Sequence, residues 1–449
     1  MVFDVATITD GENAIYVLGQ SLFTTATATT SINGMRNPWG LTLDTSNRLF
    51  VADSSNHRVL VFDVTAITDG ENAINVLGQS DFTSGSNATQ QNRMNLPRFV
   101  MTDDGGRLFV SDTSNNRVLV FDVTSVADGE NAINVLGQSN FTSGSATVTQ
   151  NRMNSPMGLS YSSATQRLFV GDYGNHRVLM FDVAAVTDGE NAMNVLGQSN
   201  FTSNPTVTTQ NGMFYPMGLA LDDGARRLYV TELYNYRVTA FDVSTTSISN
   251  GQNAENVVGQ TDGAGGVNYT TYNGYDGVTQ QGMHYPYGVV VDTTAHRLFV
   301  ADYNANRVLI YNLDGSNTLV ERTPDNVLGQ PDFKTIRPTT SQSSIYSPSE
   351  LAYDPATNRL FVINHSGSRV MVFDVASVTD NENAVNVLGQ TNFTNSSGAT
   401  SQSGLRNPVG VSFEPTTSRL YVGDYGNHRV MVYDVAAITD GENAVNVLG

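Results

Sequence analysis

The 449-residue chain has no cysteine. That alone excludes disulfides, zinc–thiolate centres and cysteine nucleophiles. It has one lysine, Lys334, and 23 basic residues against 42 acidic ones, for a net charge of −19. Nucleic-acid binding needs a basic footprint, so no nucleic acid is expected as a partner. Charge of either sign is scarce, at 14% against an average of about 25%. No apolar run approaches the ~20 residues of a membrane-spanning helix, so no span is expected. Residues 1–5 already read as a strand, with no signal segment ahead of them. The expectation is a mature chain or an excised piece.

What is present is Asn, Gln, Ser, Thr and Gly, arranged in a repeat. The run Arg48-Leu49-Phe50-Val51 returns at Arg107, Arg167, Arg227, Arg297, Arg359 and Arg419, at spacings of 59, 60, 60, 70, 62 and 60. A second run, Arg58-Val59-Leu60-Val61-Phe62-Asp63, returns at Arg117, Arg177, Arg237, Arg307, Arg369 and Arg429. Such a period marks a repeat architecture. Each unit reads as four short strands, a to d, joined by turn residues. Strands b and c are continuously apolar, where a sheet with one wet face would alternate. Four-stranded sheets covered on both faces by their neighbours describe a β-propeller.

The motif Pro-x-Gly, an apolar strand, then Leu-Phe-Val-Ala-Asp-x-x-Asn-His-Arg-Val-x-Val-Phe resembles the NHL repeat. It is fullest from Pro38 to Phe62, Pro156 to Phe181 and Pro408 to Tyr433. The resemblance implies a propeller whose members mostly bind partners, with a few enzymes. Two units depart from it. Phe99 stands where glycine is expected, and Ser349-Glu350 follow Pro348. The reading is an all-β, seven-bladed propeller of four-stranded antiparallel blades over residues 21–449. Residues 1–20 add an extra c–d strand pair. An eight-bladed ring with one incomplete blade is the alternative.

The resemblance also places the d–a and b–c connections on one face, the top. The turn Asp53-x-x-Asn56-x-Arg58 recurs, and its expected work is turn capping and tethering of blades. The element Asp69-Gly70-Glu71-Asn72 recurs too. Its carboxylates raise calcium as a possible cofactor, yet Asn250 and Gln252 replace both acids in one unit. That substitution points to a turn rather than a charge. His57, His176 and His428 belong to the repeated turn, and His284, His296 and His365 have no metal-ligand spacing. The methionines Met35, Met94, Met153, Met213 and Met283 read as plugs beneath the d–a loops.

Residues after each strand-a proline vary between units while the framework does not. The candidate ligand-binding set on the top face is Trp39, Arg98, Tyr215, Tyr234, Tyr236, Tyr285, Tyr287 and Tyr303. Tyr269, Tyr272 and Tyr275 in the long insertion extend it. Tyrosine with Asn and Gly makes an adaptable contact surface. The expected function is a non-catalytic, extracellular or cell-surface scaffold for a protein or glycan. Two alternatives remain: a structural subunit that self-associates through residues 1–20, and a propeller lyase or hydrolase with a metal in the channel.

Overall fold

The computed structural model describes residues 20, 24–66, 70–246, 248–260, 268–270, 279–436, 438, 440 and 444, and the backbone of 446–448. The extra strand pair expected in residues 1–20 lies outside them, apart from Gln20. Among the described residues, 28 strands form seven four-stranded antiparallel sheets, and no helix is long and apolar enough to cross a membrane. The blades span residues 38–77, 97–136, 156–196, 216–258, 286–328, 348–388 and 411–448. Each lists its strands in chain order across the sheet. In the first, strand a is Pro38–Leu43, b Arg48–Asp53, c Arg58–Asp63 and d Asn75–Leu77.

The apolar runs of strands b and c end up on both faces of each sheet and are wholly buried there. Phe50, Val51, Leu60 and Val61 have no exposed surface. Burying one such phenylalanine stabilises by about 1.5–3 kcal/mol. The core is divided into seven clusters, each shared by two adjacent blades. One joins Leu49, Val51 and Leu60 of the first blade to Tyr421, Val430 and Val432 of the last. Seven interfaces for seven blades close the ring, and no eighth blade is needed.

Polar links reinforce each interface. On the lower face the strand-b arginine reaches a neighbouring backbone: Arg359 donates to the Val435 carbonyl at 2.7 Å and Arg419 to the Val64 carbonyl at 2.6 Å. The second of these crosses the closure. At the rim the Asp-Gly-Glu-Asn element clips the preceding blade. The Asp128 carboxylate accepts the Val76 N–H at 3.1 Å, and the Gly129 N–H returns to the Val76 carbonyl at 3.0 Å. Asn250 does the same with its amide oxygen, accepting the Val195 N–H at 3.1 Å. An acceptor is what the position requires, which explains why the acid is dispensable.

Strand a lines the channel, and one detail of its register matters for the site. In six blades a bulge falls between the proline and the third residue after it, as between Pro38 and Leu41. A bulge re-aims side chains, and here it carries Trp39, Arg98 and Tyr287. The residue two after the proline is normally glycine because the next blade's backbone is too close for a side chain. A β-carbon on Gly410 would overlap the Trp39 carbonyl oxygen. Phe99 and Glu350 break that rule. A cavity of about 170 Å³ opens where both meet the channel.

Candidate binding face at the channel mouth

The top face rests on the repeated b–c turn. In the second blade, Asp112 accepts the Asn95 N–H at 2.6 Å, the Asn115 amide at 2.8 Å and Arg117 Nε at 2.7 Å. Arg117 Nη2 then donates to the Gln90 and Arg93 carbonyls at 2.8 and 2.7 Å, and Nη1 to that of Phe141. One fully buried ion pair therefore fixes the loops entering and leaving the blade. Burial pushes the Asp112 carboxyl up, against the pull of Arg117. In the fourth blade, Glu232 replaces the aspartate and still holds Arg237 at 2.9 Å and Asn235 at 2.6 Å.

The next turn residue adopts the left-handed region and clips the following blade. His57 Nδ1 accepts the Leu96 N–H at 3.0 Å, His428 Nδ1 that of Asn37 at 3.2 Å, and His176 Nδ1 that of Tyr215 at 3.4 Å. Asn116 and Asn306 make the same clip through their amide oxygens, at 2.8 and 2.9 Å. The residue receiving each clip precedes a proline and has positive φ, 51° at Leu96, 54° at Asn37 and 54° at Tyr215; Tyr285, at the same repeat position, has 60°. This conformation costs a bulky residue about 1–3 kcal/mol. At Tyr215 and Tyr285 it places an aromatic ring on the top face.

These clips predict a pH dependence. Burial holds His57, His176 and His428 below the ordinary value of 6.5, with Arg36 adding to it at His57, and Arg36 and Arg406 at His428. Below about 6.5 the unfolded chain binds more protons than the folded one. The contribution is complete above that pH and is lost as pH falls through the folded values. These three histidines are therefore expected to lower the melting temperature between pH 7 and pH 5, against Glu350, whose carboxyl is pushed up to about 7 by burial and acts in the opposite sense. The triple variant His57→Asn, His176→Asn, His428→Asn should lose that share of the slope and keep the share of His284 and His365, which burial also holds low. An unchanged slope would clear the histidines of causing it.

Aromatic rings form a run across the third to fifth blades. Tyr173 lies 4.4 Å from Tyr215, which lies 4.8 Å from Phe214 and 5.1 Å from Tyr234. Tyr234 meets Tyr285 edge-on at 5.1 Å, and Tyr285 meets Tyr236 and His284 at 5.1 and 5.0 Å. All but Tyr236 keep partial solvent access; Tyr236 is 7% exposed and supports the others from below. At the mouth, Tyr287 pairs with Tyr303 at 4.9 Å. Across the channel, Trp39 meets Tyr425 edge-on at 5.8 Å and carries the Arg98 guanidinium 3.9 Å from its ring centre. Arg98 feels both Tyr425 and Tyr287, and Tyr287 feels Arg98, Glu350 and Tyr234.

Burial raises the Tyr173, Tyr287 and Tyr303 phenols, which keeps their hydroxyls neutral. Burial also pushes the Glu350 carboxyl up to about 7. Met217, Ser349 and Val409, at the same repeat position as Trp39, are packed under neighbours instead. The insertion tyrosines divide as well. Tyr272 and Tyr275 lie outside the described residues. Tyr269 packs on the core between the third and fourth blades, and its carbonyl accepts Arg237 at 3.2 Å. It does for the fourth blade what Phe82 and Phe141 do for theirs. Tyr173 and Tyr425 were not in the sequence-derived set. Both follow the turn aspartate, as Tyr303 does, and reading that column down the repeats finds them. Among the described residues, no three His, Asp or Glu side chains gather as a metal site.

Residues 35–62 match the family model described as NHL repeat. The matched stretch runs through strands a to c of the first blade, and six further blades repeat its framework. The match and the seven four-stranded blades fit an NHL-repeat β-propeller. No curated protein matches it in sequence. Among solved structures, hydrazine synthase of Kuenenia stuttgartiensis is similar to this propeller, with a TM-score of 0.57 at 14% identity, over 90% of this chain and 97% of that one. A likeness at that identity carries the fold alone.

Proposed function

We propose that this propeller is a non-catalytic, extracytoplasmic scaffold that holds a protein or glycan on its tyrosine-rich top face. The observation that carries the reading is the unbroken series of ring contacts from Tyr173 to Tyr285. Three blades contribute to it, so the rings are held by the interfaces that hold the propeller. Rigid tyrosines offer large contact area at low entropic cost. Tyrosine, tryptophan and arginine are the residues on which binding energy concentrates, and all three meet at the mouth. The scarcity of lysine and of charge supports the location.

Trp39 is the only tryptophan, so its emission reports on the mouth without labelling. Panels of glycans and of extracellular proteins are to be screened by that signal and by direct binding. Tyr234→Ala with Tyr285→Ala should weaken the bound ligand at least tenfold while melting stays close to wild type. A ligand whose affinity survives both substitutions would place binding elsewhere and sink the reading.

A further inference from the structure

Below the aromatic mouth lies the cavity formed around Glu350. Its wall includes Trp39, Leu41, Val100, Leu159 and Val411, and of the residues lining it only Glu350 is charged. Among the described residues, no hydrogen-bond donor or cation pairs with that carboxylate. A carboxylate partly withdrawn from water without a partner carries a cost, and here it occupies a position that five other blades give to glycine. The chain therefore keeps an unpaired acid facing an otherwise apolar space.

The wall selects what could pair with it. A metal ion needs several oxygen or nitrogen ligands, and one carboxylate with apolar walls supplies too few. An organic ammonium suits both parts. Its charge meets the carboxylate and the aromatic rings, and its alkyl groups meet Leu41, Val100, Leu159 and Val411. Cations are drawn to the face of tryptophan above all other rings. Trp39 already shows that attraction by carrying the Arg98 guanidinium. A volume of about 170 Å³ equals the share of about five or six waters, which is room for one small cation. We propose that this cavity is a subsite for an organic ammonium group, a primary amine or a quaternary ammonium. The inference extends the top-face reading and rests on it only for the route of entry.

Tetramethylammonium and methylammonium chloride are to be titrated into the full chain at fixed ionic strength, with Trp39 emission and calorimetry as readouts. Saturable binding by either cation is expected, at least tenfold weaker in Glu350→Gln and absent for the neutral isostere tert-butanol. Equal binding by wild type and Glu350→Gln, equal binding of tert-butanol, or a response to sodium or calcium chloride alone would overturn the proposal. Glu350→Gln keeps the side-chain shape. Glu350→Gly, which restores the residue of the other blades, repeats the test should the first variant misfold. Tyr234→Ala with Tyr285→Ala should leave ammonium binding unchanged. Ammonium binding without any top-face ligand would sink the scaffold reading alone. A top-face ligand without ammonium binding would sink this one alone.

Discussion

Replacing Asp112 with alanine is expected to lower the unfolding free energy by about 3–5 kcal/mol, read by chemical denaturation. Asp112 and Arg117 are both fully buried. Removing the acid leaves a guanidinium out of water with no counter-charge. It also orphans the Asn95 N–H and leaves the Asn115 amide nitrogen with only the Ala88 carbonyl of its two acceptors. Exchanging both partners for apolar residues should not recover the loss. The arginine holds three loop carbonyls, those of Gln90, Arg93 and Phe141, and all three would lose its donors. A loss under 1 kcal/mol for Asp112→Ala would mean that water enters the turn and that the pair is not what fixes the loops. Because those loops carry the channel-mouth residues, Asp112→Ala should also change Trp39 emission through Arg98.

How far the sequence could be read follows from the same contacts. Seven copies of strands b and c, in register at spacings near 60, allow only a closed ring of sheets with both faces covered. The framework residues were legible for a second reason: each does the same job in every blade. Asn250 in place of aspartate already pointed to a turn rather than a charge, and the structure adds that the position is an acceptor for the neighbouring blade. The site was less legible because its contacts join different repeats. Tyr173 and Tyr215 touch only because the third blade's turn leans on the fourth blade's loop. Tyr269 looked like a loop aromatic, since the insertion hides its alignment with Phe82. Glu350 stood out as a departure, yet its cavity is built from strand a of five blades. No spacing along one chain reports such a convergence.

The sixth blade offers the inverse experiment, and Asn364→Asp is expected to raise stability by about 2–3 kcal/mol. Asn364 stands where five other blades have aspartate and one has glutamate. Its amide oxygen accepts the Tyr346 and Gly367 N–H groups at 3.0 and 3.1 Å. That leaves its amide nitrogen without an acceptor, and Arg369 Nε is buried without one as well. Burial of this uncompensated guanidinium lowers its value to about 10. An aspartate of the same shape turns the idle donor into an acceptor for the arginine. Hydrogen bonds to charged groups contribute about 1.5–3 kcal/mol, and the idle amide is removed at the same time. Restoring asparagine at 367 alone should do the opposite, because a β-carbon there would overlap the Asn364 amide oxygen. Asp112→Asn provides the mirror image, since it recreates the sixth blade's mismatch in the second, and should cost about as much as Asn364→Asp contributes. If Asn364→Asp is neutral while Asp112→Asn is costly, a water or anion already bridges Asn364 and Arg369, and the sixth blade's turn is satisfied by solvent rather than by its own side chains.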